Sequence, residues 1–267
     1  MHSVAQFVLD VGGNITHAEQ HVDREEGVFF QRVEFDLTAA RIDRDEVAGA
    51  FAPVAAKFGM EVRVRFSDER PRVAVLASRE GHCLADLLGR WRSGELPADV
   101  VMVASNHTTH QPLADFAGVP FHHLPVTDEP REERDARLIE LLDGSEVELV
   151  VLARYMQILG NTVIRAYPSQ IINIHHSFLP AFAGARPYHQ AQQRGVKLIG
   201  ATAHYATAEL DEGPIIAQDV TPVTHRDSVA DLIRKGRDLE TVVLARAVRA
   251  HVEHRTLVFG NKTIVFG

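Results

Sequence analysis

From residue 70 onward, short unbroken apolar runs at 73–76, 100–104 and 149–152, with a more mixed strand segment at 121–125, alternate with segments at 82–92, 111–116 and 132–142. In those intervening segments the apolar positions recur every three or four residues. Runs of Val, Leu and Ala without polar interruption suit strands buried on both faces, and the helical period between them suits helices packed across a sheet. Strand and helix taken in turn predict an α/β domain with a mostly parallel, doubly wound sheet over residues 72–267. Residues 169–174 and 198–205 read as further strands, as does the run that starts at Ile215. Residues 232–254 read as a long helix, and 256–265 as a hairpin turned at Gly260-Asn261.

Before residue 70 the pattern differs. Residues 14–22 and 28–37 read as two strands joined by the polar turn Asp23-Arg24-Glu25-Glu26-Gly27. Residues 43–58 form an amphipathic helix with Asp43 as its cap, and 60–66 alternate as a third strand. The polar connector Ser67-Asp68-Glu69-Arg70-Pro71 then marks a boundary, so residues 1–68 are expected to be a separate small α+β domain.

Candidate chemistry clusters late in the chain. In the strand at 169–174 side chains repeat on one face every second residue, so Asn173 and His175 leave the same face at its end, before Pro180 halts regular structure. Ligands of open parallel sheets sit beyond such strand ends. Downstream, Leu210-Asp211-Glu212-Gly213-Pro214 lies between two apolar stretches, and its Gly-Pro turn presents Asp211 from a loop. An amide, an imidazole and a carboxylate so placed suit attack on a carbonyl and point to formyl-group chemistry. Singly, each has an ordinary structural explanation, because Asn and Asp are common at strand ends and turns.

Taken together, Asn173-Ile174-His175-His176-Ser177-Phe178-Leu179-Pro180 and Leu210-Asp211-Glu212-Gly213-Pro214 resemble the folate-dependent formyltransferase fold, whose catalytic trio is Asn, His and Asp. Residues 176–182, 184–191 and 200–205 are similar to the formyltetrahydrofolate deformylase family within it, and the likeness runs from about Val11 to the C-terminus. The resemblance implies hydrolysis of 10-formyltetrahydrofolate to tetrahydrofolate and formate, which supplies formate for purine and one-carbon metabolism, with Asn173, His175 and Asp211 catalytic and no cofactor or metal. Hydrogen-bond donors aimed at the developing oxyanion would come from Asn173 and protonated His175, while Asp211 holds the imidazole and accepts a proton from the attacking water. The segment 151–159 resembles the lining of the folate site, which implies Tyr155, Met156 and Leu159 as pocket residues. Many relatives carry Arg where Gln157 stands. The segment from His204 to Asp211 resembles the loop whose backbone bonds the pterin edge, which brings in His204, Ala206 and Thr207. No partner for the glutamate tail is identified.

One departure bears on the acceptor. Relatives that formylate a ribonucleotide carry a Gly-rich turn after the first strand, where backbone N–H groups meet a phosphate. Here that turn is Ala77-Ser78-Arg79-Glu80-Gly81, with one glycine and with Glu80 where a phosphate would lie, which leaves water as the nucleophile. Transfer to an amine, and a regulator that binds folate or amino acids without turnover, are the alternatives. The pattern of residues 1–68 is similar to the ferredoxin-like ACT regulatory domain that precedes the catalytic domain in deformylases, without its first strand and effector turn. That strand is central in such a sheet, so its loss would leave unpaired backbone groups. The expectation is a true start upstream of Met1, or another chain filling the gap. An amino-acid effector and a homo-oligomer follow from the same resemblance.

Composition narrows the field. A net charge of −8 over 267 residues argues against non-specific nucleic-acid binding. The single cysteine, Cys83, suits a reducing compartment and is expected in a helix core. No apolar run approaches the ~20 residues of a membrane span, and the N-terminal residues lack a basic region and a cleavage site, so a cytoplasmic location is expected. Fifteen histidines raise a metal site as a competitor, at His107 and His110 or the pairs His122-His123 and His175-His176. None of the standard metalloprotease spacings occurs.

Overall fold

The computed structural model describes residues 2–180 and 187–267. The chain divides into two compact units, one made of residues up to Glu69 with Phe266–Gly267, the other of Arg70–Val265. In the first, α1 (His2–Asp10) leads into a hairpin of β1 (Asn14–Asp23) and β2 (Val28–Asp36), followed by α2 (Val47–Phe58). The Asp23 carboxylate shapes the turn by accepting the backbone N–H groups of Glu25 and Glu26, both at 3.1 Å. Glu46 accepts the Asp43 N–H at 3.0 Å, which fixes the helix start where the sequence places it. Phe7 and Phe51 meet edge-on at 5.0 Å between the two helices.

The strand expected at 60–66 does not form. Among the described residues no strand lies beside it, and an alternating pattern without a ladder partner leaves its backbone groups to water. Met60 and Val62 are exposed accordingly. The unit is therefore a helix, a hairpin and a helix, rather than the three-stranded series the pattern suggests.

The second unit holds a seven-stranded sheet. Its strands are β3 (Arg72–Ala77), β4 (Asp99–Ser105), β5 (Phe121–His123), β6 (Leu149–Ala153), β7 (Ile171–His175), β8 (Leu198–Tyr205) and β9 (Ile215–Pro222). They lie in the order β5-β4-β3-β6-β7-β8-β9, parallel from β5 to β7 and antiparallel from β7 to β9. Helices α3 (His82–Arg92), α4 (Gln111–Ala117), α5 (Arg131–Gly144), α6 (Asn161–Ala166), α7 (Pro187–Arg194) and α8 (Val229–Val252) connect or follow them, and β10 (Thr256–Phe259) pairs with β11 (Lys262–Val265). The chain moves outward from β3 to β5 and returns to β6 on the other side of β3. This reversal opens the crevice in which doubly wound sheets bind ligands.

Strand alternation splits the core in two. Val73, Val75, Val151, Ile172, Ile174, Ala201 and Ala203 face α3 and α8, while Ala74, Leu76, Val150, Leu152 and Ile171 face α5 and α6. Helix α8 starts at a capping box in which Ser228 and Asp231 exchange backbone bonds of 3.0 and 3.2 Å. Its buried stripe includes Gly236, Glu240, Val243, Leu244, Ala247 and Val248.

Candidate active site

Asn173 and His175 share the face of β7 that Ile171 turns toward α5, at the carboxyl edge of the sheet. Directly across the ladder from Asn173 is His204 of β8. The His204 Nδ1 lies 2.9 Å from the Tyr205 carbonyl oxygen, which can only accept, so that nitrogen carries hydrogen. In the neutral ring Nε2 is then an acceptor, and Asn173 Nδ2 stands 3.2 Å from it. One amide hydrogen is used in this way and the other is left for a ligand.

Asp211 arrives from the turn between β8 and β9. Its Oδ1 is 3.2 Å from His175 Nδ1 and 3.6 Å from His204 Nε2. The hydrogen bond from His175, with the His204 ring close by and partial burial working the other way, holds the carboxyl well below the usual carboxylate range. Asp211 sits at φ 60°, in the left-handed region that Asp tolerates better than most residues. The turn closes tightly because Gly213 has no side chain: a Cβ there would stand 1.8 Å from the Tyr205 carbonyl oxygen. The remaining ring nitrogen, His175 Nε2, is buried and has no hydrogen-bond partner among the described residues. The three expected catalytic side chains thus meet at one point, with a free imidazole nitrogen and a spare amide hydrogen beside it.

The segment after β7 is fixed by Thr202. Its hydroxyl donates to the Ser177 carbonyl at 2.8 Å and accepts the Leu179 N–H at 3.0 Å and the Gln218 amide at 3.0 Å. Residues 181–186 of the same motif, Arg186 among them, lie outside the described residues.

On the α5 side a cavity of about 260 Å³ opens, walled by Tyr155, Met156, Leu159, Leu138, Arg131 and Arg134 among others. Tyr155, Met156 and Leu159, expected in the folate pocket, line this cavity together with Gln157. Ala206 packs against the same core cluster as Tyr155 and Leu159, but its N–H is spent on the Ile171 carbonyl at 2.8 Å. Thr207 is exposed and donates to the Glu209 carbonyl at 3.0 Å. His204, the first residue of the expected folate loop, has its side chain buried between Asn173 and Asp211.

On the α8 side lies an ionic cluster around the buried Glu240 that the sequence reading did not find. The Glu240 carboxylate is 2.7 Å from His82 Nε2 and 3.3 Å from Arg154 Nε, and it accepts the Tyr188 hydroxyl at 2.9 Å. Burial pushes its pKa up, but the His82 bond, the Arg154 and His82 charges and the Tyr188 hydroxyl together bring it below the ordinary value. Arg154 adopts φ 61° to enter this cluster. The available signal was a single acid on the otherwise apolar stripe of α8. Glu80, expected to repel a phosphate, is paired with Arg237 at 2.6 Å.

Among the described residues one group has metal-ligand spacing, His82, Cys83 and Glu240. Two of its ligand atoms are already bonded to each other, and burial pushes the Cys83 thiol far above its usual range, which disfavours the thiolate a metal needs. His107 and His110, the alternative pair, bond locally, to Asn106 at 3.4 Å and to the Arg79 carbonyl at 3.2 Å.

Residues 71–248 match the formyl transferase family model. The formyltetrahydrofolate deformylase of Synechocystis sp. is 53% identical over 98% of this chain and 92% of its own length, and that of Bacillus subtilis 47% identical over 99% and 88%. The crystal structure of a formyltetrahydrofolate deformylase from Pseudomonas syringae pv. tomato superposes with a TM-score of 0.97 at 49% identity, covering 100% of this chain and 89% of that one. With a mostly parallel sheet of the formyltransferase type and likeness of this extent, the chain belongs to the formyltetrahydrofolate deformylase family.

Proposed function

We propose that this protein hydrolyses 10-formyltetrahydrofolate to tetrahydrofolate and formate. The observation that carries the reading is the meeting of Asn173, His175 and Asp211 at the carboxyl end of β7, where doubly wound sheets bind their ligands. Water adding to the formyl carbon builds negative charge on the formyl oxygen. The spare amide hydrogen of Asn173 and a hydrogen on His175 Nε2 would receive it, each such donor being worth about 10²–10³ in rate. Asp211 accepts from His175 Nδ1, so the ring keeps Nε2 toward the reaction. Its low pKa makes it a poor acceptor for a proton from water, so holding the imidazole is the part of its expected role that the geometry supports. The scheme uses no cofactor.

Formate release with water alone is the expected result. Release only on addition of an amine would mean transfer, and binding without release a regulator. Asp211→Asn should lower kcat by about 10²-fold or more while folate binding is largely kept. Undiminished turnover would remove its assignment. A cytoplasmic location, assembly into a homo-oligomer and an amino-acid effector on the first unit belong to the same proposal by family likeness, and gel filtration with and without amino acids tests the last two.

A further inference from the structure

Residues 155–159 carry side chains expected against the folate, yet no regular structure holds them. Arg154 turns the chain out of β6 at φ 61°, with its N–H bonded to the Leu152 carbonyl at 3.1 Å, and Gly160 closes the segment ahead of α6. Between these points, among the described residues, no backbone–backbone hydrogen bond includes residues 155–159. Met156 and Ile158 are exposed, while Tyr155 and Leu159 are partly buried against the core. A backbone so lightly held has many conformations open to it, and ordering it at the moment of binding weakens the ligand.

A single hydrogen bond does the ordering beforehand. The Met156 N–H donates to the Ser78 hydroxyl at 3.0 Å, and that hydroxyl donates in turn to Asn106 Oδ1 at 2.8 Å. Ser78 is only 2% exposed and stands one residue past β3, with Asn106 one past β4 and Met156 three past β6. Because β3 lies between β4 and β6 in the sheet, one hydroxyl ties together the strand ends at the point where the chain reverses direction. Asn106 turns Oδ1 to Ser78 and has Nδ2 3.4 Å from His107 Nε2. The hydroxyl hydrogen is thereby committed to Asn106, and a lone pair is left for Met156. The far end of the segment is set by contact, since a Cβ at Gly160 would stand 1.9 Å from Asp135 Oδ2 on α5. The bonds of the catalytic trio run separately, among β7, β8 and the β8–β9 turn.

We propose that Ser78 is a positioning residue for the folate cavity, an inference that rests on the deformylase reading and deepens it. Its hydroxyl holds the Met156 backbone, and with it the wall formed by Tyr155, Met156 and Gln157, in the shape that receives the folate. Asn106 acts one step further back, by aiming the hydroxyl. Ser78 therefore governs affinity for the folate and leaves the chemistry at the end of β7 unchanged.

The test uses the full-length protein, with formate release from 10-formyltetrahydrofolate and calorimetric titration with tetrahydrofolate. Ser78→Ala strands the Met156 N–H, so KM should rise about ten-fold with kcat within about three-fold of the parent. Tetrahydrofolate should bind more weakly by a similar factor. Asn106→Leu alone should raise KM about three-fold or more, yet add less than two-fold in the Ser78→Ala background, because the relay is already cut. If Ser78→Ala does not fold, Ser78→Cys, whose sulfur accepts a hydrogen bond only weakly, should show the same split between KM and kcat. A role in packing alone would lower the melting temperature and leave KM and tetrahydrofolate affinity where they were. That result in a folded Ser78 variant, a fall in kcat at unchanged KM, or effects that multiply in the double variant would each overturn the proposal. A parent that neither releases formate nor binds tetrahydrofolate removes the deformylase reading and this inference with it. A parent that does both, matched by its Ser78 variants, removes this inference alone.

Discussion

At the scale of single residues, the site depends on backbone that few side chains tolerate. Asp211 is held at φ 60° by a turn that closes only because Gly213 can lie against the Tyr205 carbonyl, where a Cβ would come within 1.8 Å. Gly213→Ala should therefore move the turn and draw the Asp211 carboxylate away from His175 without disturbing the strands on either side. The expected outcome is a folded protein with near-parental far-UV circular dichroism and kcat reduced by about 10²-fold, the cost of misplacing a catalytic group by an ångström. Full activity in that variant would show that Asp211 need not sit where it does. The placing of Asn173 and His175 on one strand face was legible in sequence because strand alternation is local, whereas the contact of His204 with Asn173 was not. Its position opposite Asn173 depends on the β7–β8 register, which joins residues 31 apart and leaves no trace in the local pattern.

Among the elements, the parallel strands and the long C-terminal helix were readable from period alone, because burial on two faces or on one stripe writes itself into the residue choice. The segment 60–66 shows the limit of that reading: it alternates as a strand should, but a strand is made by its neighbour. Helix α8 carries the other element-scale lesson. Gly236 and Glu240 lie one turn apart on its buried stripe, and the Tyr188 hydroxyl reaches Glu240 across the space that Gly236 leaves. A Cβ at 236 would be 1.9 Å from that hydroxyl. On an exposed helix face Gly→Ala stabilises by about 1 kcal/mol. Here the sign should reverse. Gly236→Ala is expected to lower the melting temperature by several degrees, as an overpacking cost of about 1–3 kcal/mol implies, and a raised melting temperature would mean that Tyr188 does not occupy this space.

For the molecule as a whole, the buried acids tie stability to pH. Glu240 and Asp211 both titrate lower in the folded protein than an ordinary carboxyl, Glu240 despite its burial and Asp211 chiefly through His175. The unfolded chain therefore binds more protons than the native one in mildly acidic solution, so stability is fully present above the ordinary carboxyl value near ~4 and is lost as pH falls below it. Each such group steepens the loss by at most about 1.4 kcal/mol per pH unit. Glu240→Gln separates the two contributions. At pH 7 it leaves the half-buried Arg154 without its counter-charge and His82 without its charged acceptor, and breaking a buried pair from one side costs up to about 3–5 kcal/mol. On acidification the parent protonates Glu240 and loses the same pairing, so the two proteins should converge. Urea unfolding at pH 7 and at stepwise lower pH reads this directly. A gap that narrows toward acid pH marks Glu240 as the ionised centre of the cluster, whereas a gap that stays constant would mean that its charge is not what holds His82, Arg154 and Tyr188 together.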